Sequence, residues 1–382
     1  MNDVRVLPGG DQSALRHLNT SRILRILYDG GPLTVNALAR VTGLSRPTVR
    51  GIVTALLDTG LLAPAGQAAA RTGGRPAQRY AFDRSAGVLA GVRFDTEGVW
   101  VRLTDLSGEP VARGHRPLPA DAGPAERLDA AAAVVGERVA ERKVPLWALT
   151  AGTPGIIDAS GVVRVSAAIP GWAGVRLGQE LSTRLGCPVT TVKDTNLAAL
   201  AEHRIGAARG TSDLLYVQMD RRLGVGVLVG GLPFTGQSGA AGEIGRHPGL
   251  GWEEAPARLA AASGSRHDPH DEAGALTLTR ALHGDPDAQA AASAYARTLA
   301  DGIGAMVLAV DPRLIVLGGG LAAQGTALLE PIERRLEEIC YEVPPVALTA
   351  LTEDAVTVGA VEAARDLVRE RMPAMTEQLM SD

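Results

Sequence analysis

The chain has 382 residues, enough for two or three folding units, and no apolar run in it reaches the length of a membrane span. The opening MNDVRVLPGG lacks the pattern of a secretory signal peptide. Cys187 and Cys340 alone can build neither a disulfide framework nor a cysteine zinc cluster, so a reducing cytoplasm is the expected location.

Charge is unevenly spread. Residues 1–84 hold 11 Arg and 5 Asp with neither Lys nor Glu, a surplus of +6 in a chain of net −4, which leaves −10 on the remainder. A basic head on an acidic body places any polyanion contact in the head. Lysine occurs only at Lys143 and Lys193, a compositional bias toward arginine that carries no functional message.

Asp11 to Tyr28 reads as a first helix with Leu15, Leu18, Ile23, Leu24, Ile26 and Leu27 supplying apolar faces. In the second, Val35, Leu38, Ala39 and Val41 make the apolar face and Gly43 permits a tight turn. Ser45 caps a third helix whose inward face is Val49, Ile52, Val53, Leu56 and Leu57. That spacing fits a helix-turn-helix, which lays its last helix in the major groove of a double-stranded DNA operator. The outward residues Ser45, Arg46, Thr48, Arg50 and Thr54 are the candidate DNA-reading surface. Residues 64–74 read as a loop and 78–82 as a short strand. Arg71, Gly74, Arg75 and Arg79 form a basic arm suited to phosphates or the minor groove. The alternative is a helical hairpin with solvated arginines. Residues 83–87 are the expected hinge.

From Val88 the pattern changes. Three strands with glycine turns (91–94, 98–105 and 108–111) precede an Ala-rich helix at 125–142 and a strand at 146–152. Helix 177–185, strand 189–192, helix 196–206 and strands 214–218 and 224–229 follow. Helices at 288–309 and 328–340 flank a strand at 314–317. Residues 263–274 read as a polar surface excursion, and the apolar face of 294–308 suits core and interface equally. Alternating strands and helices make the body α/β.

Five motifs stand in order along this body: Thr153-Pro-Gly-Ile-Ile-Asp158, Ile169-Pro-Gly-Trp172, Lys193-Asp-Thr-Asn-Leu-Ala-Ala-Leu-Ala-Glu202, Gly236-Gln-Ser-Gly-Ala-Ala-Gly-Glu-Ile-Gly245 and Leu314-Ile-Val-Leu-Gly-Gly-Gly-Leu321. Together with the head they resemble the ROK family (repressors, open reading frames, kinases) in its transcription-regulator branch, from about Leu15 to Leu367. The resemblance implies an N-terminal winged helix-turn-helix domain over 1–84 followed by a two-lobed actin-like, sugar-kinase-like α/β domain. Its first lobe would span 85–195 plus a C-terminal helix at about 355–372, and its second, with an oligomerisation surface, 196–354. A homodimer or homotetramer that represses carbohydrate-related genes, with no membrane contact, is the implied assembly.

The enzymes of this family need a D-x-G-x-T turn and a second glycine turn to hold Mg²⁺–ATP. The aligned positions read Arg93-Phe-Asp95-Thr-Glu97 and Asp220-Arg-Arg-Leu-Gly224, so the expectation is no enzyme and no cofactor, although the base position survives as Asp194. Sugar-holding positions have drifted to Lys193-Asp194 and Glu243-Ile-Gly-Arg246, with His247 adjacent, Glu254 a candidate for a later Glu, and Ala168 in place of an Asn. Lys193, Asp194, Glu243, Arg246, His247 and Glu254 are the candidate effector residues. Their new cations either pair structurally with the acids or receive an acidic or phosphorylated sugar. The family's zinc cysteines are missing between Arg246 and Trp252, and His267-Asp-Pro-His270-Asp271 reads as a solvated loop, so no metal is expected. Two other readings stay open: a sugar kinase with an appended head, and a regulator whose body only oligomerises.

Overall fold

The computed structural model describes residues 12–67, 76–264, 270–351 and 354–379. The chain divides into two compact units. One comprises Met1–Val88, Asp105–Glu109 and Arg365–Asp382, the other Leu89–Thr104 and Pro110–Ala364.

The head contains α1 (Gln12–Asp29), β1 (Leu33–Thr34), α2 (Val35–Thr42), α3 (Arg46–Asp58), β2 (Leu62–Gln67) and β3 (Gln78–Phe82), with sheet order β1-β3-β2. Local chemistry sets the helix ends. Thr34 Oγ1 accepts the Ala37 N–H at 3.2 Å to start α2, and Gly43, at φ 73°, stops it with its N–H on the Ala39 carbonyl. Ile23, Leu24 and Leu27 of α1, Leu38 of α2, and Val49, Ile52, Val53 and Leu56 of α3 form the buried core.

Three expectations for the head change. Val41 is 56% exposed because the inward stripe of α2 runs through Leu38 and Thr42. Thr42 is buried at little cost, since its hydroxyl donates to the Leu38 carbonyl at 2.7 Å. Leu15 and Leu18 of α1 face outward as well. Residues 64–67, the start of the stretch expected as loop, belong instead to strand β2, paired antiparallel to β3 with a register shift between Pro64 and Gln67. Pro64 lacks an N–H, which an edge strand tolerates.

In the body, β4 (Val88–Phe94), β5 (Gly98–Asp105), β6 (Pro110–Pro117), α4 (Pro124–Arg142) and β7 (Leu146–Thr153) open the first lobe. The hairpin β8 (Ile156–Ile157) and β9 (Val163–Val165), then α5 (Leu177–Leu185) and β10 (Val189–Lys193), complete it, with sheet order β10-β7-β4-β5-β6. α6 (Asp194–Ile205) leads into the second sheet, formed by β11 (Leu214–Met219), β12 (Leu223–Val229), β13 (Leu232–Pro233), β14 (Leu314–Gly318) and β15 (Val346–Leu348) in the order β13-β12-β11-β14-β15. Between β13 and β14 lie α7 (Ala255–Ala261), α8 (His270–Leu282) and α9 (Pro286–Val310). After β14 come α10 (Thr326–Ile339) and α11 (Ala355–Leu379).

Two five-stranded sheets of this kind, each carrying helices, are the actin-like arrangement. The excursion expected over 263–274 already turns helical at His270, the start of α8, while 265–269 lie outside the described residues. The inner face of α9 is core: Tyr295, Ala296, Leu299 and Ile303 are buried with Leu328, Ile332 and Leu336 of α10. At Gly226 a Cβ would overlap the Thr195 carbonyl, so glycine alone lets β12 pass this close to the start of α6.

Candidate functional site

α3 presents its polar residues as follows. Ser45 Oγ accepts the Thr48 N–H at 3.3 Å and lies 2.8 Å from Thr48 Oγ1, so these two hydroxyls build the helix cap. Arg46, Arg50 and Thr54 are exposed at i, i+4 and i+8, one continuous stripe along the helix. Arg79, on β3, donates from Nε and Nη2 to the Pro32 carbonyl at 2.9 and 2.6 Å, beside the pairing of Arg79 with Thr34. Arg79 therefore ties the wing strand to the residues that start α2. Arg71, Gly74 and Arg75 lie outside the described residues.

The two drifted phosphate turns meet in the body. Asp95 Oδ1 accepts the N–H groups of Glu97 (2.8 Å) and Gly98 (3.2 Å), and Arg93 pairs with Asp95 at 3.2 Å while lying 4.1 Å over the Trp100 ring. Fully buried Arg127 holds this turn from behind, donating to the carbonyls of Asp95, Pro119 and Ala122. Across the cleft, Arg221 pairs with Glu97 at 3.0 Å. Asp220 Oδ1 accepts the Gly320 N–H and its Oδ2 accepts from Gln218 Nε2 at 2.5 Å. The glycine turn after β14, where backbone N–H groups face an anion, thus already holds a carboxylate of the chain itself.

Burial pushes the Asp95 carboxyl up to about 6, against the lowering influence of Arg93 and of the two N–H donors. Its folded value exceeds the ordinary 3.8, so Asp95 contributes stability that is present below that value and lost as pH rises through about 6. Asp95→Asn keeps an acceptor for the turn and removes the charge. It is expected to stabilise the body by about 1–2 kcal/mol at neutral pH and to flatten the pH dependence of urea unfolding between those two values. An unchanged pH profile would count against this assignment.

At the drifted sugar positions, Lys193 is buried and its Nζ pairs with Glu243 and donates to the Val225 carbonyl at 3.1 Å. Thr195 Oγ1 donates to the same carbonyl at 3.0 Å, so the end of β10 and the start of α6 are pinned to β12. Asp194 sits beside them. Burial raises its carboxyl, Lys193 and the Thr195 N–H lower it, and the Glu243 and Asp220 carboxylates raise it further.

The other three candidates do not converge on this pair. Arg246 and His247 are exposed, with His247 Nδ1 accepting the Gly249 N–H at 3.1 Å, and Glu254 is exposed 3.9 Å from Arg258. Among the described residues no group of three or more His, Cys, Asp or Glu is arranged to hold a metal ion.

Two of the five motifs turn out to brace each other. Trp172 Nε1 donates to Thr153 Oγ1 at 2.8 Å and its ring lies 5.3 Å from Phe94. Arg127 carries no signal in the sequence, where an arginine in an Ala-rich amphipathic helix reads as a solvated face.

Residues 89–367 match the ROK family. The chain belongs to the ROK family. Residues 17–71 match the MarR family, in keeping with a winged helix-turn-helix head. The chain is similar to the xylose repressor of Bacillus subtilis (strain 168), 25% identical over 238 residues, covering 62% of this chain and 61% of that protein. It is also similar to the DNA-binding transcriptional dual regulator NagC of Escherichia coli (strain K12), 29% identical over 243 residues, 62% of this chain and 58% of NagC. The chain thus spans about three fifths of the length of the curated relatives it matches.

Among solved structures, a ROK family transcriptional regulator described as a homolog of the E. coli MLC protein superposes with a TM-score of 0.75 at 19% identity, over 95% of this chain and 99% of that one. That likeness extends the shared fold through the head. The ROK hexokinase of Thermus thermophilus superposes with a TM-score of 0.60 at 29% identity, over 74% of this chain and 99% of that one, so kinases and regulators share the body. No helix among the described residues is long and apolar enough to cross a membrane.

Proposed function

We propose that this ROK protein is a cytoplasmic, homo-oligomeric, DNA-binding transcriptional regulator, a repressor of carbohydrate-related genes, whose kinase-like body performs no phosphoryl transfer. The observation that carries the DNA-binding reading is the exposed Arg46–Arg50–Thr54 stripe on a capped α3 inside a winged head. The kinship of the body with the xylose repressor and NagC supports the regulatory role.

Phosphoryl transfer works by positioning and neutralising the nucleotide phosphates. Here Asp220 occupies the glycine turn and Asp95 and Glu97 stand at the other phosphate turn, so a triphosphate would meet three carboxylates where donors are needed. Genomic footprinting with the purified chain tests the first half of the reading, and a coupled ATP-turnover assay with neutral hexoses tests the second. Mg²⁺-dependent hexose phosphorylation would overturn the second; an absence of protected promoters would overturn the first.

In this reading Arg46, Arg50 and Thr54 face base edges, and Arg71, Gly74 and Arg75, outside the described residues, contribute to phosphate contact. Ser45 and Thr48 shape the start of α3, and Arg79 fixes the wing. Arg79→Gln is accordingly expected to weaken binding to a random duplex several-fold. The slope of log affinity against log salt should stay unchanged, because each phosphate contact contributes about 0.9 to that slope. A slope reduced by about one charge would make Arg79 a phosphate contact.

The Lys193–Glu243 pair, with Asp194, serves as a bridge between lobes, and Arg246, His247 and Glu254 are the exposed groups left to meet an acidic sugar. Light scattering of the purified chain reports the oligomeric state.

A further inference from the structure

A cavity of about 320 Å³ opens over the hairpin of β5 and β6. The size lies at the lower end of the range of roughly 300–1,000 Å³ usual for small-molecule sites. None of the five motifs and none of the candidate effector residues lines it. Trp100 and Arg102, two positions apart on β5, share one face of the sheet, and the register sets His115 opposite Trp100 and Arg113 opposite Arg102. Asp354, which immediately precedes α11, and Thr357, in its first turn, complete the walls.

The charges in these walls do not balance. Arg102 is buried, a position that a guanidinium tolerates only when paired. Its Nη2 meets Asp354 Oδ2 at 2.6 Å, and its Nε donates to Thr357 Oγ1 at 3.4 Å. Arg113 Nη1 meets the same carboxylate oxygen at 2.9 Å. Two guanidiniums therefore share a single oxygen while facing each other across the strand pair, where like charges are unfavourable. Burial acts against the Arg102 cation and the Arg113 charge adds to it, with Asp354 alone opposing them.

Neighbouring groups do not cancel the excess. Arg93, 4.1 Å over the Trp100 ring from the adjacent strand, is already balanced by Asp95, and His115 stacks on that ring at 4.4 Å. With histidine counted neutral, one positive charge is left over. Most N–H donors of Arg102 and Arg113 have no acceptor among the described residues. A monocarboxylate brings one negative charge and two acceptor oxygens that match a guanidinium fork, whereas a phosphate dianion would overshoot the surplus.

We propose that this cavity binds a small organic monocarboxylate, held by Arg102 and Arg113. The proposal stands independently of DNA binding and of the drifted sugar positions.

Calorimetric titration of the full chain with acetate, butyrate and benzoate tests it, with benzamide as the uncharged comparator and inorganic phosphate as the more highly charged one. At least one carboxylate is expected to bind, benzamide to fail, and phosphate to bind about tenfold more weakly. Arg113→Gln makes the walls neutral and should weaken carboxylate binding about tenfold. It should leave the unliganded melting temperature equal or higher, since the side chain is 64% exposed and its charge opposes Arg102. Asp354→Asn raises the surplus to two charges and should shift the preference toward phosphate. Arg334→Gln removes a cation that is not in the walls and should leave binding intact. Absence of binding by every carboxylate up to about 10 mM overturns the proposal. So does benzamide matching benzoate, or a carboxylate preference that neither Arg113→Gln nor Asp354→Asn alters.

Discussion

Lys193→Met is expected to destabilise the body by about 3–5 kcal/mol at neutral pH, the usual consequence of removing one partner of a buried ion pair. The methionine fills a similar volume, so the loss is electrostatic. Glu243 is left without its cation, the Val225 carbonyl loses one of its two donors, and Asp194 loses the positive charge that holds its carboxyl down.

The sign of the pH dependence follows from Asp194. Its folded carboxyl already lies above the ordinary 3.8, so its contribution to stability is present below that value and lost as pH rises through the folded value. Removing Lys193 raises the folded value further. The deficit of the variant should therefore be greatest at neutral pH and shrink on acidification. Urea unfolding followed by tryptophan fluorescence measures this directly, because Trp100, Trp147, Trp172 and Trp252 all lie in the body. Lys193→Met combined with Glu243→Met should recover most of the loss. A double variant as unstable as the single one would show that the pair is not the source of the effect.

The bridging role of Lys193 illustrates how far the sequence can be read. The helix bounds at 177–185 and the strand at 78–82 emerge from it unchanged, because cap residues and apolar periodicity are local signals. Strand β2 does not, because Ala-Pro-Ala-Gly carries little strand propensity and forms a strand only when β3 pairs with it. Lys193 next to Asp194 suits an ion pair and a ligand site equally until the fold brings Glu243 to it. Likewise a carboxylate at position 220 is visible as a lost glycine, but that it fills the turn at Gly320 depends on the close approach of the segments following β11 and β14.

Arg50→Ala should separate base reading from phosphate attraction in the head. Arg50 is exposed near the middle of α3, one turn after Arg46 and one before Thr54, and among the described residues no hydrogen bond or ion pair engages its side chain. Alanine is a strong helix former and the position contributes nothing to the core, so α3 should persist and the thermal stability of the head should not fall. A bidentate arginine–guanine contact is worth about 1–3 kcal/mol, so affinity for a footprinted site is expected to drop about 10- to 100-fold at fixed salt. Affinity for a random duplex should fall far less, since only one positive charge among several is removed. Fluorescence anisotropy with both duplexes gives the two numbers, and their ratio is the decisive quantity. Arg75→Ala, in the basic arm, should lower both affinities together and reduce the salt slope by about one. If Arg50→Ala behaves in that same way, α3 holds the backbone rather than reading the groove, and sequence discrimination must be sought at Arg46 and Thr54.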